Sequence, residues 1–260
     1  METPSPRFRV PLMQTDITIE TESGSCMAHL ALPEGEGRYP GIVLIEEIWG
    51  VDAHMKDVAQ RLAQEGFIVI APELLPEDTL KKLAPEHVKL DLFTPEKRAE
   101  VQPLVREATA PLYQPEFADE ALAKLRACID YLIAHAQSNG KVGSIGFCFG
   151  GTYSFHLAVH DPRLDACVVF YGRAPEPIDD VAAIACPVLD MCGSEDVAIV
   201  EKLPELEAAM KEHDQDFQLI VYPDAKHAFM NDTNPRTYNA TAAHDAWAKA
   251  VSFLHKHLEE

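Results

Sequence analysis

Positive charge is scarce in this sequence. Its 22 Lys and Arg stand against 42 Asp and Glu, a formal net charge of −20 over 260 residues. Such a chain repels a phosphate backbone, so nucleic acid and anionic membrane surfaces are not expected partners. No apolar run reaches membrane-span length, and the opening METPSPRFRVPLMQT lacks the apolar segment of a secretion signal. The expectation is a soluble, cytoplasmic protein. The six cysteines (26, 128, 148, 167, 186 and 192) form no CxxC pair, which speaks for reduced thiols rather than a disulfide framework. HExxH and regular Cys/His spacings are also missing, so no metal is expected. Nor is there a repeat, a low-complexity stretch or a linker, and one domain over residues 1–260 is expected. What is plentiful is apolar: 47% hydrophobic residues supply a core that needs no covalent staple.

The apolar residues follow two rhythms. From Asp16 to Leu32 they alternate about a Ser23-Gly24 turn, which predicts an N-terminal β-hairpin. Short continuous runs then alternate with helical spacing. Buried strands are predicted at Gly41–Ile45, Phe67–Ala71, Val142–Phe147, Ala166–Tyr171, Val188–Cys192 and Phe217–Tyr222. Between them, helices are predicted from Met55 to Gly66, around Phe117–Leu132, from the end of the third run to His160, near Val197–His213 and around Ala243–Leu258. This is an α/β pattern: a mostly parallel sheet covered by helices on both faces. One stretch breaks it. Residues 72–115 hold seven prolines and many charges, which reads as an excursion over one end of the sheet with short helices. It is either part of a pocket wall or a solvated insertion without a role.

Chemistry concentrates in Lys141–Gly151, KVGSIGFCFGG. A buried strand runs into Gly146-Phe147-Cys148-Phe149-Gly150 and then a helix, the G-x-nucleophile-x-G elbow with cysteine at its centre. The sharp turn lifts the middle residue to the carboxyl edge of the sheet and aims a helix N-terminus at it, favouring a thiolate. The Phe149 N–H is then placed to donate to an oxyanion. These glycines do not space as GxGxxG, which weakens a dinucleotide-binding reading. Read alone, the pentapeptide also fits a core thiol in a tight turn.

An elbow nucleophile needs a base and an orienting acid, in the chain order nucleophile, acid, histidine. Strand Val188–Cys192 ends in Gly193-Ser194-Glu195-Asp196, where Asp196 is the first choice and Glu195 the second. Strand Phe217–Tyr222 is followed by His227. The other histidines fit less well. His255 and His257 lie on the last helix and should be solvated. His156 and His160 follow the elbow on its own helix, His213 closes a helix, His29 falls in the hairpin, and His54 and His87 lack an acid. The adjacent acids Glu46-Glu47 after the first buried run are unusual, because an unpaired buried carboxylate is costly. One of them is expected to point at the elbow, with Ile48 giving a second oxyanion N–H.

The segments IEEIWGVD, EGFIVIAPEL, GSIGFCFGG, CGSED and DAKHAF, in this order, resemble the dienelactone hydrolase family of α/β-hydrolase folds, over nearly the whole chain. The resemblance implies a Cys-His-Asp triad that cleaves esters or lactones without a cofactor, acting on a small-molecule substrate as a monomer or small homo-oligomer. It places the nucleophile on Cys148, the acid on Asp196, the base on His227, a thiol-gating glutamate on Glu47, and the oxyanion donors on the backbone of Ile48 and Phe149. Two departures concern the substrate. The family's arginines for a substrate carboxylate fall here on Asn231 and within Glu73-Leu74-Leu75-Pro76-Glu77, and Arg173 is the nearest replacement. A non-catalytic binding module and a thiol peptidase are the alternative readings.

Overall fold

The computed structural model describes residues 13–21 and 24–259; the N-terminal segment and Ser23 of the hairpin turn lie outside them. Eight strands form one sheet: β1 (Met13–Thr21), β2 (Gly24–Leu32), β3 (Tyr39–Ile45), β4 (Ile68–Pro72), β5 (Ser138–Phe147), β6 (Ala166–Phe170), β7 (Val188–Gly193) and β8 (Phe217–Tyr222). Their order is β1-β2-β4-β3-β5-β6-β7-β8. The β1–β2 hairpin and the β2–β4 pair are antiparallel, and every other pair is parallel. From β3 onward the six strands therefore present their carboxyl ends at one edge, with β3 and β5 flanking the point where the chain changes direction, where α/β sheets place their sites.

Helices cover both faces, as the apolar runs required. Helices α1 (Ala53–Gln64) and α9 (Ala240–Leu258) pack on one face through Met55, Val58, Leu62, Ala246, Ala250 and Leu254. Helices α5 (Pro115–Ala134), α6 (Phe149–His160) and α8 (Leu203–Glu212) cover the other through Leu125, Ile129, Phe155, Leu157 and Leu206. The segment expected as one helix near 197–213 is two, because α7 (Val197–Val200) stops before Pro204, which starts α8 afresh. Among the described residues no helix is long and apolar enough to cross a membrane.

The excursion is helical: α2 (Glu77–Leu83), α3 (Glu86–Leu92) and α4 (Pro95–Thr109), followed by a short 3-10 turn at Ala110–Tyr113. Most of its prolines punctuate rather than break, although Pro103 lies inside α4. Pro76 and Pro85 are caps and Pro95 opens α4, positions where a missing N–H costs nothing. Leu83, Val88, Val105 and Ala108 form a small core of their own against Ile48 and Trp49. Lys89 bridges to Asp52 at 3.1 Å, while Asp52 caps α1 by accepting from the Met55 N–H. The excursion thus packs on the loop after β3 instead of standing free in solvent.

Candidate active site

The elbow is built by close approach. Cys148 has φ 55° and ψ −112°, a sparsely populated conformation that costs about 1–3 kcal/mol unless its surroundings hold it. Its own N–H donates to the Phe170 carbonyl at 3.0 Å and its carbonyl accepts from Thr152 N–H. A Cβ on Gly146 would stand 2.0 Å from the Gly150 oxygen, and one on Gly150 would stand 2.1 Å from the Ile45 oxygen. Only glycine lets helix α6 come this close to β3 and β5. As first residue of α6, Phe149 keeps a backbone N–H without an intrahelical acceptor.

Among the described residues all six cysteines are free; five are buried and Cys148 alone is half-exposed. Burial pushes the thiols of Cys186 and Cys192 up to about 12, and those of Cys128 and Cys167 well above their ordinary range. They are inert by burial.

His227 and Asp196 meet at the same edge. The turn after β7 is tied to the loop after β8 by Ser194 N–H to the Tyr222 oxygen and Glu195 N–H to the Ala225 oxygen. Asp196 is buried, whereas Glu195 is exposed, and Asp196 Oδ2 lies 2.5 Å from His227 Nδ1. Burial works against a charged imidazole, but the Cys148 sulfur and then the Asp196 carboxylate outweigh it, holding His227 well above its ordinary value. The imidazole thus stands between the Cys148 sulfur, whose charge acts on it, and the Asp196 carboxylate, which is bonded to its Nδ1.

Glu47 belongs to the same cluster. It is 2% exposed; Asn231 Nδ2 donates to its Oε2 at 2.7 Å and the Tyr171 hydroxyl to its Oε1 at 3.5 Å. Tyr171, in the left-handed region at φ 42°, is fully buried. Burial, then the Glu47 carboxylate and the Cys148 sulfur, push its phenol well above its usual value, which makes it the common neighbour of both groups. Its ring centroid is 5.0 Å from that of His227. Neither Tyr171 nor the bond from Asn231 emerges from sequence reasoning. Asn231 stands out only as the residue in an arginine's place, and the sole trace of Tyr171 is its position at a strand end before Gly172. Asn231 is not free to reach a ligand, since its Oδ1 accepts from Thr233 N–H and Oγ1 at 3.1 and 2.6 Å.

Ile48 is half-buried beneath the excursion, in the turn closed by Gly50 N–H to the Glu47 oxygen. Arg173 is exposed. Two histidine expectations need correction. His54 does have an acid beside it, Asp232 at 3.5 Å, which folding brings from 178 residues away. His255 and His257 are half-buried rather than solvated, each packed on a phenylalanine, Phe67 and Phe253, at 4.6 Å. Among the described residues no three of His, Cys, Asp or Glu converge as a metal site requires. A hollow of about 370 Å³ between β7, β8 and α9, lined by Leu189, Ile220, Lys249 and Phe253 among others, offers neither imidazole nor carboxylate. Reactive groups, not volume, single out the Cys148 edge.

A family model described as "Dienelactone hydrolase family" matches residues 26–258. A protein of Saccharolobus solfataricus named "Putative carboxymethylenebutenolidase" is 34% identical over 94% of this chain and 99% of its own. Among solved structures, a "Putative Dienelactone Hydrolase" from Klebsiella pneumoniae shares the fold with a TM-score of 0.78 at 24% identity, covering 95% of this chain and 100% of that one. A dienelactone hydrolase from Anabaena variabilis does so with a TM-score of 0.67 at 16% identity, over 95% and 99% of the two chains. With its sheet order, its elbow and an end-to-end relative all in agreement, this chain belongs to the dienelactone hydrolase family.

Proposed function

We propose that this protein hydrolyses carboxylic esters or lactones through an acyl-thioester on Cys148. The observation that carries the reading is the row Cys148–His227–Asp196, in which the one half-exposed thiol borders an imidazole whose other nitrogen is held by a buried carboxylate. Asp196 keeps His227 in one orientation and favours its protonated form. Glu47 takes the thiol proton, leaving a thiolate beside the imidazolium. The sulfur attacks the ester carbonyl, and the N–H groups of Ile48 and Phe149 receive the oxyanion. His227 gives its proton to the departing alkoxide. The neutral imidazole next removes a proton from water, and hydroxide adds to the thioester. The acid departs, the thiolate is restored and Glu47 returns its proton. Asn231 and Tyr171 keep the Glu47 carboxylate hydrogen-bonded through the cycle.

The acyl pocket favours uncharged substrates. Asn231 is committed to Glu47 and Thr233, and Arg173 is exposed, so neither supports capture of a substrate carboxylate. The test is a panel of p-nitrophenyl esters and lactones with and without a free carboxylate. Neutral esters should be turned over faster, and Cys148→Ala and His227→Ala should each lose at least about a thousandfold in kcat/KM. Activity that survives Cys148→Ala removes the thioester mechanism. Cleavage of a peptide library faster than any ester replaces the esterase reading with a peptidase one.

A further inference from the structure

The reaction above leaves Glu46 without a task, yet it is fully buried. Its Oε1 accepts two backbone N–H groups, from Leu74 at 2.8 Å and Leu75 at 2.9 Å, while its Oε2 has no partner among the described residues. Leu74 and Leu75 leave β4 and lead directly into α2, so these two bonds hold the root of the α2–α4 excursion. On its other side the residue abuts the elbow: a Cβ on Gly150 would stand 2.6 Å from the Glu46 backbone oxygen. Glu46 is also joined through the chain to Glu47 and Ile48, and Ile48 is what the excursion packs upon. One residue therefore connects the nucleophile turn and the proposed oxyanion loop, through its backbone, to the root of the cover, through its side chain.

We propose that Glu46 is a positioning residue, whose carboxyl group pins the root of the cover to the strand end carrying Glu47 and Ile48 and so sets both in register with Cys148. A purely apolar residue could fill the space but would leave two N–H groups buried without acceptors. Burial pushes the Glu46 carboxyl up to about 8, against the pull of the Leu75 and Leu74 N–H groups; Glu73 adds to the rise and Lys124 of α5 opposes it. At neutral pH the group is then an uncharged acid that accepts through its carbonyl oxygen. Above pH 8 it ionises in a dry site, and opening the root to water relieves that charge. Glutamine keeps the accepting oxygen and cannot ionise.

The kinetic arm of the test rests on the ester-hydrolase reading. Hydrolysis of p-nitrophenyl acetate from pH 6 to 9.5 is followed for the wild type, Glu46→Gln and Glu46→Ala, together with the rate of tryptic cleavage within residues 77–109. At pH 7, Glu46→Ala should raise KM about tenfold with a smaller change in kcat, and should be cut about tenfold faster. Glu46→Gln should restore the wild-type KM to within about threefold and lack the wild-type fall in activity above pH 8. Wild-type KM and cleavage in Glu46→Ala overturn the proposal, as does an unchanged alkaline fall in Glu46→Gln. Should Glu46→Ala fail to fold, the Glu46→Gln pH profile decides alone. If the wild type turns over no ester, the hydrolase reading fails, while the pH dependence of tryptic cleavage in wild type and Glu46→Gln still decides the role of Glu46.

Discussion

At the residue scale, the two buried acids of the site keep different company: Asp196 pairs with an imidazole and Glu47 with neutral donors. Among the described residues no cation pairs with the Glu47 carboxylate; an amide and a phenol hold it. Substituting Asn231→Asp would set a second carboxylate about where the amide now donates. Two such groups cannot both ionise without a large cost. The variant should lose about 1–3 kcal/mol of stability at pH 7.5 and at least about tenfold in kcat/KM. Both losses should shrink as the pH is lowered and the repulsion is relieved, and urea unfolding and ester hydrolysis at pH 7.5 and pH 5 check this. That Asp196 and His227 would meet at the edge carrying Cys148 was readable in advance, because strand-end placement and chain order constrain them. Asp196 rather than Glu195 needed the fold, since only burial and the turn after β7 separate neighbours of equal chemistry.

At the scale of elements, the elbow is a three-body contact among β3, β5 and α6. Gly150→Ala presses a methyl carbon onto the Ile45 carbonyl at 2.1 Å, backbone against backbone, where no rotamer gives relief. Helix α6 must then move away from β3, and a loss of more than about 3 kcal/mol is expected in chemical denaturation. The buried strands were legible because a parallel strand covered on both faces must be continuously apolar. The first residues of β5, Ser138-Asn139-Gly140-Lys141, escaped this logic; they are polar and join the sheet past a register shift between Tyr39 and Gly41. The bounds of the short helices of residues 77–109 escaped it too. Two of them have only seven residues, too short for a periodicity to emerge, and their prolines look like breakers until the first turns are located.

At the scale of the whole molecule, a second buried acid governs pH behaviour. Asp190 lies within β7, 1% exposed, with both carboxylate oxygens unpartnered among the described residues. Burial pushes it up to about 8, with the Met191 N–H opposing weakly. The sign follows from linkage: the unfolded chain ionises this group near 4 and the folded chain near 8, so folding stability falls as pH rises between those values and levels off beyond. The fall from this group approaches about 1.4 kcal/mol per pH unit. Asp190→Asn should therefore be stabilising relative to the wild type at pH 8 and much less so at pH 4.5. Thermal melts at the two pH values test it, and an equal difference at both would refute the assignment.

The amino-acid sequence by itself determined the sheet-and-helix alternation, the elbow and the order in which its chemical partners arrive, since these depend on local patterns of apolarity and glycine. Tertiary structure alone decided that Glu46 roots the excursion and that Tyr171 and Asn231 hold Glu47. Those are contacts across 28 to 184 residues, set by how strand ends converge in space, and no local pattern encodes such distances.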